Sequence, residues 1–331
     1  MTVIAPNIFD SILAEGMERF LIHKRAAGRR YYTEGTVLRL LDRYLIEQQI
    51  TGTDQITPEL LNAFLASRPR KRPRSFNHLL TVTRAFFSWL VQQGLLLQSP
   101  VQAKPRRNTA QRIPFIFDKL AAGLLLDAAS RFSDRSMAPL RGVTYRTIFA
   151  VLYGLGLRVG EVSRLLIRDV DFQHRLLVIR ETKFYKSRLV PFGPKMGELL
   201  REFIQARTQR NGQLADDTPL FSFNGNRPIH PGTISQTFHH LVPRLQLVVP
   251  PGKSSPRLHD LRHSFAVGTL LRWYRSGQDP GARLMQLATF LGHVDLMSTA
   301  VYLHISESLL WEANRRFESF AQIVLKEGVA R

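Results

Sequence analysis

The sequence predicts a mainly α protein with one small antiparallel β-sheet, an α+β chain in two domains. Three observations lead there. A chain of 331 residues exceeds the size at which a single core usually stops growing. Apolar residues recur at helical spacing along most of it, whereas one stretch, DVDFQHRLLVIRETKFYKSRLVPF at 169–192, clusters β-branched and aromatic residues between polar turns. The expected division is a helical N-terminal domain over 1–104 with a linker to about 112, followed by a larger domain over 113–331.

Residues 8–98 read as helices. Leu38, Leu41, Tyr44 and Leu45 share one helix face, and so do Leu79, Leu80, Val82, Phe86, Phe87 and Leu90. Between them, SRPRKRPRSFN at 67–77 places Arg68, Arg70, Lys71, Arg72 and Arg74 among prolines that are expected to prevent a regular helix. SPVQAKPRRNTAQRIP at 99–114 has three prolines, four cationic residues and no apolar period, which is the pattern of a linker. FDKLAAGLLLDAA and TYRTIFAVLYGLGL read as helices, the 169–192 stretch as the sheet, and helical patterns resume from Pro194 to the end. The last of them runs through Leu309, Leu310, Phe317, Phe320, Val324 and Leu325.

Charge narrows the function classes. Lys plus Arg number 46 against 26 Asp plus Glu, a formal net charge of +20, of which +9 lies within residues 1–112. Nucleic acid is the partner such a balance favours. No run of about 18 apolar residues and no acylation signal point to a membrane. The first residues lack a secretory pattern and cysteine is absent, so a cytoplasmic protein without thiol chemistry is expected. The 68–74 run is a candidate phosphate-backbone clamp, with a solvated basic loop as the alternative.

RLHDLRHSFA at 257–266 is the densest cationic stretch. As a helix it projects His259 and Arg262, three apart, from one side, and turns Leu258, Leu261 and Phe265 to the core. His259 and His263 have the spacing of a metal pair, but Arg262 would set a permanent charge beside the ion and Asp260 is expected to point elsewhere. Two further stretches carry candidate chemistry. YGLGLRVGEVSRL at 153–165 embeds Arg158 among glycines, and LGHVDLMSTAVYLHI at 291–305 places His293 nine residues before Tyr302. Taken singly, Arg158 could pair with Glu161 and Tyr302 could be a core aromatic.

Together these stretches resemble the tyrosine recombinase (phage integrase) family over roughly residues 10–320. The resemblance implies an active-site set of Arg158, Lys183, His259, Arg262, His293 and Tyr302, with Glu161 positioning Arg158. TKFYKSRLVPF is similar to the family's Lys-x-x-Lys-x-Arg-x-Val-Pro hairpin, but Phe184 replaces the usual glycine, so Lys186 stands as the alternative to Lys183. The interval from Arg262 to His293, with RWYRSGQDPGAR, is longer than is common and is expected to lengthen a helix or loop. The residue types suit phosphoryl transfer. Two guanidiniums clamp the oxygens that gain charge, and Tyr302, with an ordinary pKa near 10, needs a positive field and a proton acceptor, for which His259 is expected. Lys183 would protonate the leaving 5′ oxygen and His293 would donate to the phosphate.

By the same resemblance the partners are double-stranded DNA with paired inverted core sites and further copies of the chain. A monomer or weak oligomer would assemble as a tetramer on DNA in the bacterial nucleoid, with no metal or other cofactor. The C-terminal helix at 307–328 would either dock on a neighbouring protomer or close its own subunit's core. Three alternatives use parts of the same pattern: a type IB topoisomerase, an inactive DNA-binding accessory protein and a metal-dependent nuclease. The complete His259-x-x-Arg262 and the compact N-terminal helical domain disfavour the first, the intact site set disfavours the second, and the lack of an acidic cluster disfavours the third.

Overall fold

The computed structural model describes residues 9–28, 31–107, 113–180, 187–293, 295–304, 309–312 and 314–315. The chain forms two compact units, residues 1–111 and 112–331.

In the first unit, α1 (Ala14–Ala26), α2 (Tyr32–Glu47), α3 (Pro58–Ser67) and α4 (Pro73–Gln92) enclose one core. The periodic residues of α2 and α4 fill it: Leu38, Leu41, Leu45, Phe86 and Phe87 are fully buried. The Thr57 side chain caps α3 by accepting from the Leu60 amide. Residues 68–72 are non-helical, as expected, but the break ends at Pro73, which occupies the first turn of α4, where its missing N–H costs nothing. Arg72 is therefore the N-cap and Arg74 lies in the first helical turn. The 99–107 part of the expected linker is also tied down. Asn77 pairs with both backbone groups of Arg106, accepting at 2.7 Å and donating at 2.8 Å, and the Arg106 guanidinium lies 4.0 Å from the centre of the Phe76 ring.

The second unit is helical around a three-stranded antiparallel sheet of order β1 (Val170–Asp171), β2 (Leu176–Ile179) and β3 (Arg188–Pro191). Leu177 opposes Val190, and both are fully buried, as alternation on a one-sided sheet requires. The buried helix α6 (Arg141–Leu155) packs on α5 (Lys119–Ser130), on α8 (Pro194–Asn211) and on α10 (Asp260–Arg275). The short α7 (Val159–Ser163) follows α6. α9 (Pro231–Leu241), α11 (Leu284–Leu291) and α12 (Met297–Ala300) complete the described helices longer than one turn, and a single 3₁₀ turn spans Val301–His304.

Helix does not continue unbroken from Pro194. Residues 213–230 and 246–257 contain no helix, and Arg207, 1% exposed, spans from α8 to the first of these loops by donating to the Pro219 and Leu220 carbonyls. The long Arg262-to-His293 interval is taken up by α10, which runs to Arg275, and by the loop 276–283 before α11. Of the expected C-terminal helix only 309–312 and 314–315 are described, all helical; the remainder of 307–328 lies outside the described residues.

Candidate active site

The site forms where α6, α10 and α11 bring two helix C-termini against the start of α7. α6 and α11 both end on glycines in the left-handed region, Gly156 at φ +60° and Gly292 at φ +67°. A helix C-terminus exposes carbonyls without intrahelical partners and carries partial negative charge. Arginines take them. Arg262, 1% exposed on α10, donates from Nη1 to the Gly156 carbonyl and from Nη2 to the Leu291 carbonyl, both at 2.7 Å. Arg158, the N-cap of α7, donates from Nη2 to the Gly292 carbonyl at 2.9 Å. Two cations from segments 104 positions apart thus meet at one helix end, directly before His293.

Glu161 holds this arrangement from below. It is 4% exposed and accepts from the Arg158 amide (2.9 Å) and from Arg158 Nη1 (2.8 Å). It also accepts a bidentate pair from Arg188 on β3, both bonds 2.9 Å, while Arg188 Nε donates to the Phe290 carbonyl. Burial opposes ionisation of Glu161, but the hydrogen bonds and charge of Arg188, with those of Arg158, outweigh it and hold the carboxyl down to about 2. Arg188 lies within the hairpin motif, but its partnership with Glu161 crosses 27 positions, and no local spacing signals it.

Tyr302, in the Val301–His304 turn, is 2% exposed and packs with Ala266, Val267, Leu270 and Leu291. It is therefore a core aromatic and a member of the site at once. Burial raises its pKa, against the opposing charge and hydrogen bond of Arg262 and the charge of Arg158. Its hydroxyl lies 3.0 Å from Nδ1 of His263. The ring of His259, the expected acceptor, meets the His263 ring edge-on, centroids 4.7 Å apart. His293 stacks on Tyr302 at 6.2 Å, its Nδ1 2.7 Å from the hydroxyl of the buried Thr299.

All three histidines are lowered to about 4, by burial first and then by neighbouring cations, including Arg262 in each case. His259 sits at the exposed mouth of the site, which tempers the effect of burial there. Burial and the nearby charges of Arg158 and Arg188 lower even Arg262, to about 10.

Asp260 departs from expectation. It is fully buried at the start of α10 rather than turned away, bonded to the backbone and guanidinium of Arg257, with Oδ1 4.0 Å from His263 Nε2. Four arginines (158, 188, 257 and 262) thus face two carboxylates, leaving a positive surplus suited to an anion. Lys183 and its alternative Lys186 lie outside the described residues. In the first unit Lys71, Arg72 and Arg74 are exposed and Arg70 is half-buried, while Arg68 lies 3.7 Å from Glu47.

Comparison with known proteins places the chain in a family. The phage integrase family matches residues 124–308, more than half of the chain. The chain is 35% identical over 289 residues to y4rB of Sinorhizobium fredii (strain NBRC 101917 / NGR234), which carries an integrase/recombinase name, covering 86% of this chain and 92% of that one. It is 28% identical over 258 residues to tyrosine recombinase XerC of Chlorobaculum tepidum, covering 73% and 72%. Its fold is similar to that of the Tn1549 transposon integrase in complex with transposon right end DNA, with a TM-score of 0.63 over 93% of this chain and 98% of that one at 17% identity. The chain belongs to the phage integrase family, the tyrosine recombinases.

Proposed function

We propose that the chain is a site-specific recombinase that cuts and rejoins double-stranded DNA through a 3′-phosphotyrosyl link on Tyr302, without metal or ATP. The observation that carries this reading is the convergence of Arg158 and Arg262 on the C-terminal carbonyls of α11, beside the hydrogen-bonded hydroxyl of Tyr302. Displacement at phosphorus adds charge to the non-bridging oxygens, and guanidiniums already held by carbonyls and Glu161 meet it without reorganising. His293, pinned through Nδ1 to Thr299, supplies its other nitrogen to the phosphate.

Tyr302 attacks, its proton leaving to the histidines beside it, and the 3′-phosphotyrosine conserves the bond for resealing by a 5′ hydroxyl. Lys183 protonates the departing 5′ oxygen. Arg68, Arg70, Lys71, Arg72 and Arg74 of the helical unit grip the DNA backbone. A tetramer assembled on paired inverted core sites carries strand exchange, and the protein acts at the nucleoid.

The test is covalent capture on nicked suicide duplexes selected from a randomised-core library, in excess EDTA. The wild-type protein is expected to form an SDS-resistant DNA adduct, and Tyr302→Phe to bind without forming one. Strict magnesium dependence, or an adduct that survives Tyr302→Phe, contradicts the reading. Lys183→Ala should be rescued by a 5′-bridging phosphorothioate, whose sulfur leaves without a proton. Rescue of Lys186→Ala alone transfers the role.

A further inference from the structure

His263 is a largely buried titratable group, 18% exposed at its side chain, and the family resemblance gives it no role of its own. Its Nδ1 is 3.0 Å from the Tyr302 hydroxyl and its ring is 5.5 Å from the phenol ring, whereas the ring contact of His259 is with His263. Both partners are fixed. His263 lies in the first turns of α10 between the buried Asp260 and Arg262 and the core residues that follow, and Tyr302 is 2% exposed within its own apolar cluster.

We propose that His263, rather than His259, is the catalytic base that takes the Tyr302 proton in DNA cleavage and returns it in rejoining. The inference rests on Tyr302 being the nucleophile, as set out under Proposed function. In cleavage the Tyr302 O–H bond breaks and its proton passes to Nδ1. The phenolic oxygen bonds to phosphorus as the bond from phosphorus to the 5′ oxygen breaks, and that oxygen takes a proton from the general acid. In rejoining the 5′ hydroxyl attacks, the bond from phosphorus to Tyr302 breaks, and the proton on Nδ1 returns to the tyrosine.

The surroundings suit a base that waits. Burial, then Arg257 and Arg262, keep His263 neutral at neutral pH, so with its proton on Nε2 it offers Nδ1 as an acceptor. Asp260 Oδ1, 4.0 Å from Nε2, favours that tautomer and the cation that forms. The same burial keeps the phenol protonated until substrate arrives. A bound phosphodiester adds a negative charge opposite Arg158 and Arg262, which raises the basicity of the imidazole only in the complex.

The experiment measures single-turnover covalent capture on the selected suicide duplexes. His263→Phe and His263→Asn are each combined with tyrosine or the more acidic 3,5-difluorotyrosine at position 302, and His259→Phe is treated in parallel. An acidic phenol ionises with less help, so it should restore what loss of a base removes and not what loss of packing removes. Capture is expected to fall about a hundredfold in both His263 variants, and difluorotyrosine to recover most of it. The His259→Phe loss should not recover. His263→Asn keeps a hydrogen-bond acceptor near the Nδ1 position but cannot take the proton, so it decides the matter if His263→Phe does not fold.

Capture by both His263 variants at the wild-type rate, or recovery in His259→Phe and not in the His263 variants, overturns the inference while leaving the nucleophile in place. Absence of wild-type capture, or capture that survives Tyr302→Phe, overturns the proposed function itself.

Discussion

Arg262 and Arg158 do the same work on paper, yet their burial separates them. Arg262→Met removes the 2.7 Å donors of the Gly156 and Leu291 carbonyls and leaves Leu291 only the 3.5 Å bond from Arg158, so unfolding free energy should fall by about 2 kcal/mol even after the buried charge is removed. Arg158 is 37% exposed at its side chain, and Arg158→Met should cost no more than about 1 kcal/mol. Urea unfolding of the two variants tests the difference, and equal losses would contradict the buried clamp. Glu161 gives a pH prediction. Its folded value of about 2 lies below the ordinary 4.5, so it contributes stability fully above pH 4.5 and loses it as pH falls through about 2. The contribution is about 3 kcal/mol. Glu161→Gln should therefore be less stable at pH 7 and flatter between pH 4.5 and 2, and an unchanged acid profile speaks against the network. Five of the six residues that the family order singles out, Arg158, His259, Arg262, His293 and Tyr302, are described and lie together, which made most of this site legible in the sequence. Arg188 and His263 were not, because their partners Glu161 and Tyr302 are 27 and 39 positions away and only packing brings them together.

At the level of elements, the site depends on two glycine-ended helices. A Cβ at Gly156 would stand 2.5 Å from the Phe265 ring and 3.1 Å from Leu291, and the residue is already at φ +60°. Gly156→Ala should cost about 2–3 kcal/mol, because left-handed strain adds to overpacking beside the carbonyl that holds Arg262. Gly193→Ala, with open space and φ −79°, should change stability by less than about 0.5 kcal/mol. Thermal melts of the pair check this, and a harmless Gly156→Ala would remove the argument for a fixed α6 end. Periodicity disclosed α2 and α4 because Leu38, Leu41, Phe86 and Phe87 are core residues at helical spacing. It placed the break at 68–72 correctly but carried it too far, since Pro73 opens α4 in the first turn. It also could not show residues 99–107 tied to α4, since the Asn77 pairing with Arg106 follows no period.

For the whole molecule, a charge of +20 makes ionic strength the natural variable. Neutralising Arg70, Lys71, Arg72 and Arg74 should reduce the slope of log affinity against log salt by up to about 0.9 per lost phosphate contact. An unchanged slope would place that run away from the DNA. Three histidines lowered to about 4 set a further expectation. Between pH 6.5 and 4 the unfolded chain binds protons that the folded one refuses, so stability is highest above pH 6.5 and declines as pH falls through that window. Urea midpoints at pH 7.5 and 5 measure it, with His263 and His293 carrying more of the effect than the exposed His259, and a higher midpoint at pH 5 would contradict histidines held neutral by the fold.

The most direct test of a tyrosine poised among clamped arginines is to identify the residue that carries DNA. Trapped adducts, digested with nuclease and protease and analysed by mass spectrometry, should show a nucleotide remnant on the phenolic oxygen of Tyr302. A remnant on any other residue, or strand cleavage that leaves none on the protein, would contradict the account.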